Sequence, residues 1–452
     1  MTEGSEHWGT AGLLSRVSAK VAGLNTRLYL HAFYLSSATA VNALGGFAFW
    51  LLAARLYQPQ QVGLGSATLS TMTLLIMVSQ LGLGMGLLRF LPTAKEHAPY
   101  LLQAAFVTAA VVSAILTFVF WVGIPLWAPT LTFLREQLAL AALCLLFVVG
   151  AAVSPLQDYG LLALRRTKFT VIKSLIFNLA RLALLFIFVA MAAGGIIVSV
   201  GIAMLVSVIL GFWGISRIPM HYRFLQPARS QYLRMLLPFA IGNHLADFSL
   251  NLPALVLPLI VINVLGTEEG AYFYAAWFSG YLLLALPLHL ANSLLTEGSY
   301  DEGKVVELAK KALTAALFLV IVGISVVFLL GDKLLLLFGQ GYSEKGFSLL
   351  RLVALSAVPG SIVHVFLGVQ KLGRRIKSVV VVSMLVAGTT LLVSYLLLPG
   401  LGLTGAGLGL LIGQGAGASI AILSLALSLK KKTGASSEER LEAQAHVGRS
   451  VS

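Results

Sequence analysis

Twelve long apolar stretches divide the chain, and each approaches or exceeds the roughly 20 residues that a helix needs to cross a bilayer. Backbone groups inside lipid must be hydrogen-bonded within their own segment, so these stretches predict membrane-spanning helices. With 58% hydrophobic and only 11% charged residues, the composition lies outside the usual range of soluble domains. The predicted spans are 28–54, 62–91, 101–127, 138–155, 171–191, 196–215, 236–264, 272–295, 312–330, 349–369, 379–398 and 404–429.

Basic residues fall mainly into every second gap between these stretches. Of the 31 Lys and Arg residues, twenty-five lie in the two termini, in the even-numbered gaps or, as Arg89 and Lys173 do, at a span end that borders such a gap. The odd-numbered gaps hold only Arg55, Arg135, Lys333 and Lys345. The positive-inside rule therefore predicts that both termini are cytoplasmic. The net charge of +14 indicates membrane topology, with no nucleic acid expected as a partner. Attraction of anionic lipid head groups to basic clusters is a second interpretation.

An internal repeat divides the chain into halves. Pro155 is followed by an Ile-Lys-Ser motif at 172–174, and Pro359 is followed by the same motif at the same distance, at 376–378. Six spans per half predict a parallel repeat. The predicted organisation is a cytoplasmic arm that resembles an amphipathic helix, an N-terminal lobe, a cytoplasmic linker, a C-terminal lobe and a disordered cytoplasmic tail, at 1–27, 28–217, 218–235, 236–429 and 430–452. The segment 331–347 is predicted to lie along the outer surface.

Several classes of chemistry are disfavoured by what the sequence contains. The single cysteine, Cys144, excludes an intramolecular disulfide and a cysteine metal cluster, and no metal site is expected. The predicted outer gaps are short and carry no acidic constellation beyond Glu268 and Glu269, so we expect no catalytic residues and no enzyme. No Walker motif supports ATP hydrolysis, and no cofactor is expected.

Four segments carry a resemblance to a known family. They read LLAARLYQPQQVGLGSA at 51–67, LGLGMGLLRFLP at 81–92, LLFGQGYSEKGFSLLRL at 336–352 and LPGLGLTGAGLG at 398–409. Together they resemble the polysaccharide transporter family, which includes O-antigen flippases and belongs to the superfamily of multidrug, oligosaccharidyl-lipid and polysaccharide exporters. The resemblance implies an all-α polytopic membrane protein with twelve transmembrane helices in two six-helix lobes around a central cavity.

The same resemblance implies a function in the inner (plasma) membrane. Such a protein moves a polyprenyl-pyrophosphate-linked oligosaccharide from the inner to the outer leaflet by alternating access, for synthesis of a cell-surface polysaccharide such as O-antigen. The implied partners are the lipid-linked oligosaccharide, membrane lipids and glycan polymerase or glycosyltransferase machinery. A sugar head group and a pyrophosphate cannot cross hydrocarbon unaided, so a polar cavity with fixed cations is expected.

The seventh span carries the richest polar stripe. Asn243, His244, Asp247 and Asn251 recur at spacings of three and four, so they share one helix face. Asp247 lies about 11 residues, or roughly 16 Å, from the predicted inner end of the span. We interpret the stripe as a cavity lining that binds sugar hydroxyls, with Asp247 also coupling to a proton or sodium ion. A buried Asp-His pair that only holds helices together is the alternative. Pro253 and Pro258 are predicted to bend or break this helix.

Arg181 in the fifth span is the predicted phosphate ligand. It lies about 8 residues, or roughly 12 Å, into the membrane, and a guanidinium binds phosphate through two parallel hydrogen bonds. A structural partnership with Asp247 or with carbonyl groups is an equal alternative. Arg89 matches the arginine of the family's second-span pattern, although it can also snorkel to the surface. The other candidate substrate-binding residues are Asn178, Asn42 and His289.

Two other functions are carried forward. A cation-coupled exporter of the multidrug and toxic compound extrusion type shares the implied fold. Many such exporters couple to cations through a carboxylate in the first span. The first span of this chain has no carboxylate, but Asp247 in the seventh span can serve instead. A noncatalytic scaffold for glycan assembly would leave the polar stripe without a role. Substrate charge distinguishes the first two, because basic drugs favour an acidic cavity and pyrophosphate lipids favour Arg181.

Overall fold

The computed structural model describes residues 34, 37–218, 227, 229–300 and 302–424. Twelve helices in this part of the chain are long and apolar enough to cross a membrane, which confirms the predicted all-α polytopic fold with six helices in each lobe. The predicted amphipathic arm and the predicted tail lie outside the described residues. Short helices α3 and α5 accompany the spans. The helices are α1 (Ser37–Leu56), α2 (Pro59–Ser79), α3 (Leu83–Phe90), α4 (Ala98–Trp127), α5 (Phe133–Glu136), α6 (Leu138–Ala163), α7 (Lys168–Ile187), α8 (Ala193–Ser216), α9 (Ser230–Leu265), α10 (Thr267–Tyr300), α11 (Val305–Leu336), α12 (Gln340–Leu372), α13 (Ile376–Leu401) and α14 (Leu403–Ser424).

The second predicted span is built from two helices, α2 and α3. Between them, Leu81 and Gly82 have φ values of 48° and 73°. Glycine adopts this left-handed region without the steric cost of a Cβ atom. The chain therefore changes direction at Gly82, and α3 packs separately from α2.

Helix α9 differs from its prediction. It begins at Ser230, before the predicted span, and continues to Leu265 through Pro253 and Pro258. Of the predicted bend or break at these prolines, the break is wrong, because the helix is continuous through both. Neighbouring helices can satisfy backbone groups freed by proline in a membrane helix, so its interior tolerates the residue.

The segment 331–347 also corrects its prediction, because it belongs to two membrane helices. Helix α11 continues to Leu336 and α12 begins at Gln340. Leu335 and Phe338 are fully buried between the helices, and the Ser343 hydroxyl donates to the Asp332 carbonyl oxygen at 2.9 Å. Charged Asp332 and Lys333 suggested a surface segment, but charges at a helix end can reach the interface while the apolar neighbours pack inward.

The lobes contact each other at both ends of the bundle. At the predicted outer end, the Gln60 amide donates to Glu268 at 3.0 Å, and a Cβ atom added to Gly63 would lie 1.8 Å from the Thr267 carbonyl oxygen. At the predicted inner end, the Tyr232 hydroxyl lies 3.0 Å from Nδ1 of His97. The close approach at Gly63 explains one glycine of the GLGSA sequence, since any side chain there would separate α2 from α10.

Arg55 and Tyr57 strengthen the outer contacts of α1. The Arg55 guanidinium donates to the carbonyl oxygens of Leu337 and Leu336 at 2.6 and 3.0 Å, which joins the first lobe to the end of α11. The Tyr57 hydroxyl donates to the Leu185 carbonyl oxygen at 2.9 Å. Burial raises the pKa of Tyr57 to about 12, so this hydroxyl keeps its proton at neutral pH.

Candidate functional site

Each lobe contains an interior cavity with polar groups in its wall. The first, here called the Arg181 cavity, has a volume of about 230 Å³ and is lined by α1, α2, α6, α7 and α8, with Tyr274 of α10. The second, the Asp247 cavity, has a volume of about 300 Å³ and is lined by α9, α10, α12, α13 and α14. The predicted site residues are therefore divided between two places.

Arg181 lies among aromatic rings. Its Cζ atom is 4.8 Å from the ring centre of Phe177 and 5.1 Å from that of Phe49, and Trp50 and Tyr274 also line the cavity. Its Nε atom is buried and has no hydrogen-bond partner in the described part of the chain. Nor does any described carboxylate form an ion pair with it. The alternative of an Arg181–Asp247 pair is therefore absent among the described residues.

A hydrogen-bond network holds this guanidinium in place. Arg181 donates from Nη2 to Oδ1 of Asn178, and Nδ2 of Asn178 donates to Oδ1 of Asn42 at 2.9 Å. Nδ2 of Asn42 in turn donates to the Ser174 hydroxyl at 3.1 Å. A Cβ atom added to Gly45 would lie 1.9 Å from Oδ1 of Asn178, so only glycine lets α1 approach α7 here. The predicted residues Asn42, Asn178 and Arg181 thus form one connected group.

A buried ion pair lies next to this network, and the sequence analysis missed it. Lys173, 3% exposed, donates from Nζ to Oδ1 of Asp158 at 3.0 Å and to the Ser154 carbonyl oxygen at 2.7 Å. The count of basic residues by gap places Lys173 among the cytoplasmic ones. The available signal was its place inside the fifth predicted span and in the repeated Ile-Lys-Ser motif, next to Ser174 of the network.

The Asp247 cavity contains a second ion pair. Oδ1 of Asp247 is 3.2 Å from Nζ of Lys371, and the Asn251 amide donates to the Asp247 carbonyl oxygen at 2.8 Å. The Tyr281 hydroxyl reaches Oδ1 of Asn251 at 3.4 Å. His364 lines the same cavity. Asp247 and Asn251 of the predicted stripe thus line one cavity.

Asp247 pairs with a residue at the end of a neighbouring helix. Lys371 is the penultimate residue of α12, at the predicted inner end of that helix. Because Asp247 pairs with it, the carboxylate is within reach of a lysine from this end, although it is far from the first residue of α9. Helix α9 begins at Ser230, so its first turns precede the predicted span, which begins at residue 236. The depth of Asp247 in the membrane stays a prediction.

His244, Arg89 and His289 do not line either cavity. His244 is half-buried and contacts the backbone of Met77 across the contact between the lobes. Arg89 is exposed, with its Cζ atom 5.5 Å from the ring centre of Phe90, and His289 is also exposed. The side chain of Asn243 lies outside the described residues.

Comparison with protein families gives a match over more than half of the chain. A family model described as polysaccharide biosynthesis protein matches residues 30–300. No curated protein matches the chain.

Comparison with solved structures gives matches over nearly the full length. An inward-facing multidrug resistance MATE family transporter of the MOP superfamily has a TM-score of 0.69 and 16% identity, covering 89% of this chain and 99% of that one. The lipid II flippase MurJ, in an inward closed conformation, has a TM-score of 0.69 and 12% identity, covering 86% and 87%. A MOP superfamily transporter from Pyrococcus furiosus, whose binding pocket is described as having reverse polarity, has a TM-score of 0.59 and 16% identity, covering 89% and 95%. At these identities the likeness establishes the fold.

Proposed function

Because this chain belongs to the polysaccharide biosynthesis protein family and has the fold of MOP superfamily transporters, we propose that it is a flippase for a polyprenyl-pyrophosphate-linked oligosaccharide. It carries the head group from the inner to the outer leaflet of the inner (plasma) membrane by alternating access, and both termini are cytoplasmic. The comparison with a lipid II flippase supports this class of substrate, and the family description supports polysaccharide synthesis as its purpose.

The observation that carries the proposal is the environment of Arg181. A half-buried guanidinium, whose Nε–H has no partner among the described residues, lines a cavity of about 230 Å³. Arginine is suited to phosphate oxygens because its planar fork donates two parallel hydrogen bonds. The aromatic walls formed by Phe177, Trp50 and Tyr274 suit the apolar faces of sugar rings. Cation and aromatic surface together match a pyrophosphate attached to a saccharide.

The paired carboxylates in the Asp247 cavity and beside the Arg181 network argue against a drug exporter as the first choice. Asp158 and Asp247 are each paired with a lysine, at 3.0 and 3.2 Å. A lipophilic cation would have to displace that lysine to reach either carboxylate. Arg181 has no such counterion among the described residues, so an anionic ligand can bind to it without displacing a carboxylate.

Asp247 is the proposed coupling residue. Its side chain is 51% exposed, so protons or sodium ions can reach it from the cavity. Binding of either ion would weaken its attraction to Lys371, since the carboxylate charge would be neutralised or shared. Release of Lys371 on α12 would alter the contact between α9 and α12, which gives ion binding a mechanical effect. Asn251 and Tyr281 then supply hydrogen bonds to sugar hydroxyls.

Translocation in proteoliposomes tests the proposal directly. A labelled polyprenyl-pyrophosphate saccharide is followed beside a cationic dye, with and without a proton or sodium gradient. We expect saccharide transport by the wild type and none by Arg181→Ala or Asp247→Ala. Arg181→Lys separates the fork geometry from charge, and an unchanged rate in this variant would contradict two-point phosphate binding.

Arg351 offers a matched control for Arg181. Its Cζ atom lies 3.9 and 5.2 Å from the ring centres of Phe347 and Phe328, and its Nε atom is also buried without a partner in the described part of the chain, yet it lines neither cavity. Arg351→Ala should retain transport. Gradient-driven dye efflux without saccharide transport would instead assign the chain to the multidrug exporters.

A further inference from the structure

A third cavity lies on the lipid-facing side of the first lobe. It has a volume of about 360 Å³ and is lined by apolar side chains of α2, α4 and α6 and of the connection between α4 and α6. Leu138 and Phe118 at its rim are 73% and 61% exposed, so the cavity opens at the surface that contacts lipid. We call it the α4–α6 pocket.

An arginine side chain, that of Arg135, lies beside the wall of this pocket. The Cζ atom of Arg135 lies 5.8 Å from the ring centre of Trp121, and Trp121 lines the pocket. Arg135 is exposed and forms no ion pair among the described residues. Tryptophan is enriched where hydrocarbon meets head groups, which favours a place for this cation at the level of lipid phosphates. The arrangement therefore joins an apolar cavity to a phosphate-binding group.

Two further donors lie in the pocket wall. Of its threonines, Thr68 and Thr71 donate to carbonyl oxygens of their own helix. The Thr117 hydroxyl and Nε1 of Trp121 are buried with no partner in the described part of the chain. They are four residues apart on α4 and so share a face. Both residues line the pocket, where an ester carbonyl oxygen would supply the missing hydrogen-bond acceptor.

We propose that the α4–α6 pocket binds a phospholipid, with one acyl chain in the apolar cavity and the phosphate on Arg135. A phospholipid supplies all three complementary groups: the hydrocarbon chain, the ester carbonyl and the phosphate. A polyprenyl phosphate lacks the ester. Furthermore, Met72 and Val148 line both this pocket and the Arg181 cavity, so they separate a chain bound here from a pyrophosphate at Arg181. The lipid site therefore does not depend on the transported substrate.

Native mass spectrometry of the delipidated full-length protein, titrated with dioleoyl phosphatidylglycerol, measures this binding. We expect one phospholipid of higher affinity, and Arg135→Gln should weaken it about fivefold, the contribution of one cation to binding of an anionic lipid. Lys333→Gln is the matched control, because Lys333 is also exposed at the predicted outer end but, among the described residues, has no contact with an aromatic ring of the pocket wall such as Arg135 has with Trp121. Equal loss of lipid affinity in both variants would show that general surface charge causes the effect, and would overturn the proposed site.

Cys144 locates the bound lipid without any substitution. It is the single cysteine of the chain and lines the pocket. Phospholipid should slow its modification by N-ethylmaleimide, and the protection should require more lipid in Arg135→Gln than in the wild type. Absence of protection at saturating phospholipid would overturn the proposal. So would preferential protection by undecaprenyl phosphate, which would assign the pocket to the carrier's own chain.

Discussion

The buried pair of Lys173 and Asp158 allows a quantitative prediction, because its two members differ in exposure. The side chain of Lys173 is 4% exposed and that of Asp158 is 37% exposed. Asp158→Asn therefore leaves an ammonium buried without its counterion. Lys173→Met instead leaves a carboxylate that retains contact with water. The two single substitutions remove the same ion pair but should differ in cost.

The loss of stability depends on how the charged group that remains after each substitution can be stabilised. Breaking a buried pair by removing one partner costs about 3–5 kcal/mol. The lysine can escape by losing its proton, which at pH 7 costs about 4.6 kcal/mol from its ordinary pKa in water, so the penalty of Asp158→Asn is capped near that value. For Lys173→Met we expect about 1–3 kcal/mol, the cost of a polar group left without its partner. The double variant should be close to the wild type, since an apolar replacement of a buried pair is often neutral.

Unfolding in detergent micelles measures these differences. Cys144 is the only thiol and lies in the wall of the α4–α6 pocket. A thiol-reactive fluorophore too bulky to enter that pocket, unlike N-ethylmaleimide, therefore labels it only when the protein unfolds. Asp247→Asn is the matched control, because its carboxylate pairs with Lys371 but is 51% exposed and should contribute less than about 1 kcal/mol. The deficit of Asp158→Asn should also shrink between pH 7 and pH 9, where a lysine loses its proton more easily.

Two results would refute this reasoning. If Asp158→Asn destabilises the protein no more than Asp247→Asn does, burial does not set the cost. If the double variant Asp158→Asn with Lys173→Met is as unstable as Asp158→Asn alone, the pair is not the source of the effect. Transport by the double variant then separates stability from function: full activity would make the pair structural.

Further predictions concern the contacts between the lobes and the network behind Arg181. Gly63→Ala should loosen the outer contact, since its Cβ atom would lie 1.8 Å from the Thr267 carbonyl oxygen. The assay is thiol labelling of a cysteine introduced at position 268 in a Cys144→Ser background. Faster labelling in the Gly63→Ala variant would show the looser contact, and an unchanged labelling rate would contradict it. Cross-linking cysteines placed at 60 and 268, whose side chains now meet at 3.0 Å, should stop saccharide transport until reduction, whereas continued turnover would exclude outer opening at this contact. Asn178→Leu should reduce transport while Asn178→Asp retains it, because only the acid still accepts from Arg181; equal rates would show that orientation of the guanidinium is unimportant. Gly82→Ala should destabilise the protein by about 1 kcal/mol, because its φ of 73° disfavours a Cβ atom; this is measured by the same thiol assay.

The membrane-spanning fold was predictable because lipid leaves few alternatives to long apolar helices. Helix ends were less predictable: Asp332 and Lys333 suggested the end of a span, but α11 continues to Leu336. Charged residues mark the limits of a hydropathy window, yet a folded helix can place them at the interface and bury the next turn. The start of α9 was less predictable for a related reason, since the helix begins at Ser230 and so precedes the predicted span.

Candidate site residues were easier to find singly than as sets. Phe177 lies one turn before Arg181, so sequence spacing alone places its ring beside the guanidinium. Phe49 and Asn42 reach the same place from α1, and no local pattern predicts that meeting. The partners Lys173 and Asp158 lie on different helices, and a count of basic residues by gap gives Lys173 no structural role. Long-range pairing depends on helix packing, which the periodicity of one segment does not encode.

The break at Gly82 has a kinetic consequence. The outer contact at Gly63 belongs to α2, whereas the inner contact of Gly86 with Leu236 belongs to α3. Because a left-handed corner separates the two helices, the outer and inner contacts are carried by different rigid pieces. Each can then break over its own energy barrier, and the higher of the two barriers sets turnover. Substitutions at opposite ends should consequently change the rates of different steps, and only those that lower the higher barrier should speed the whole cycle.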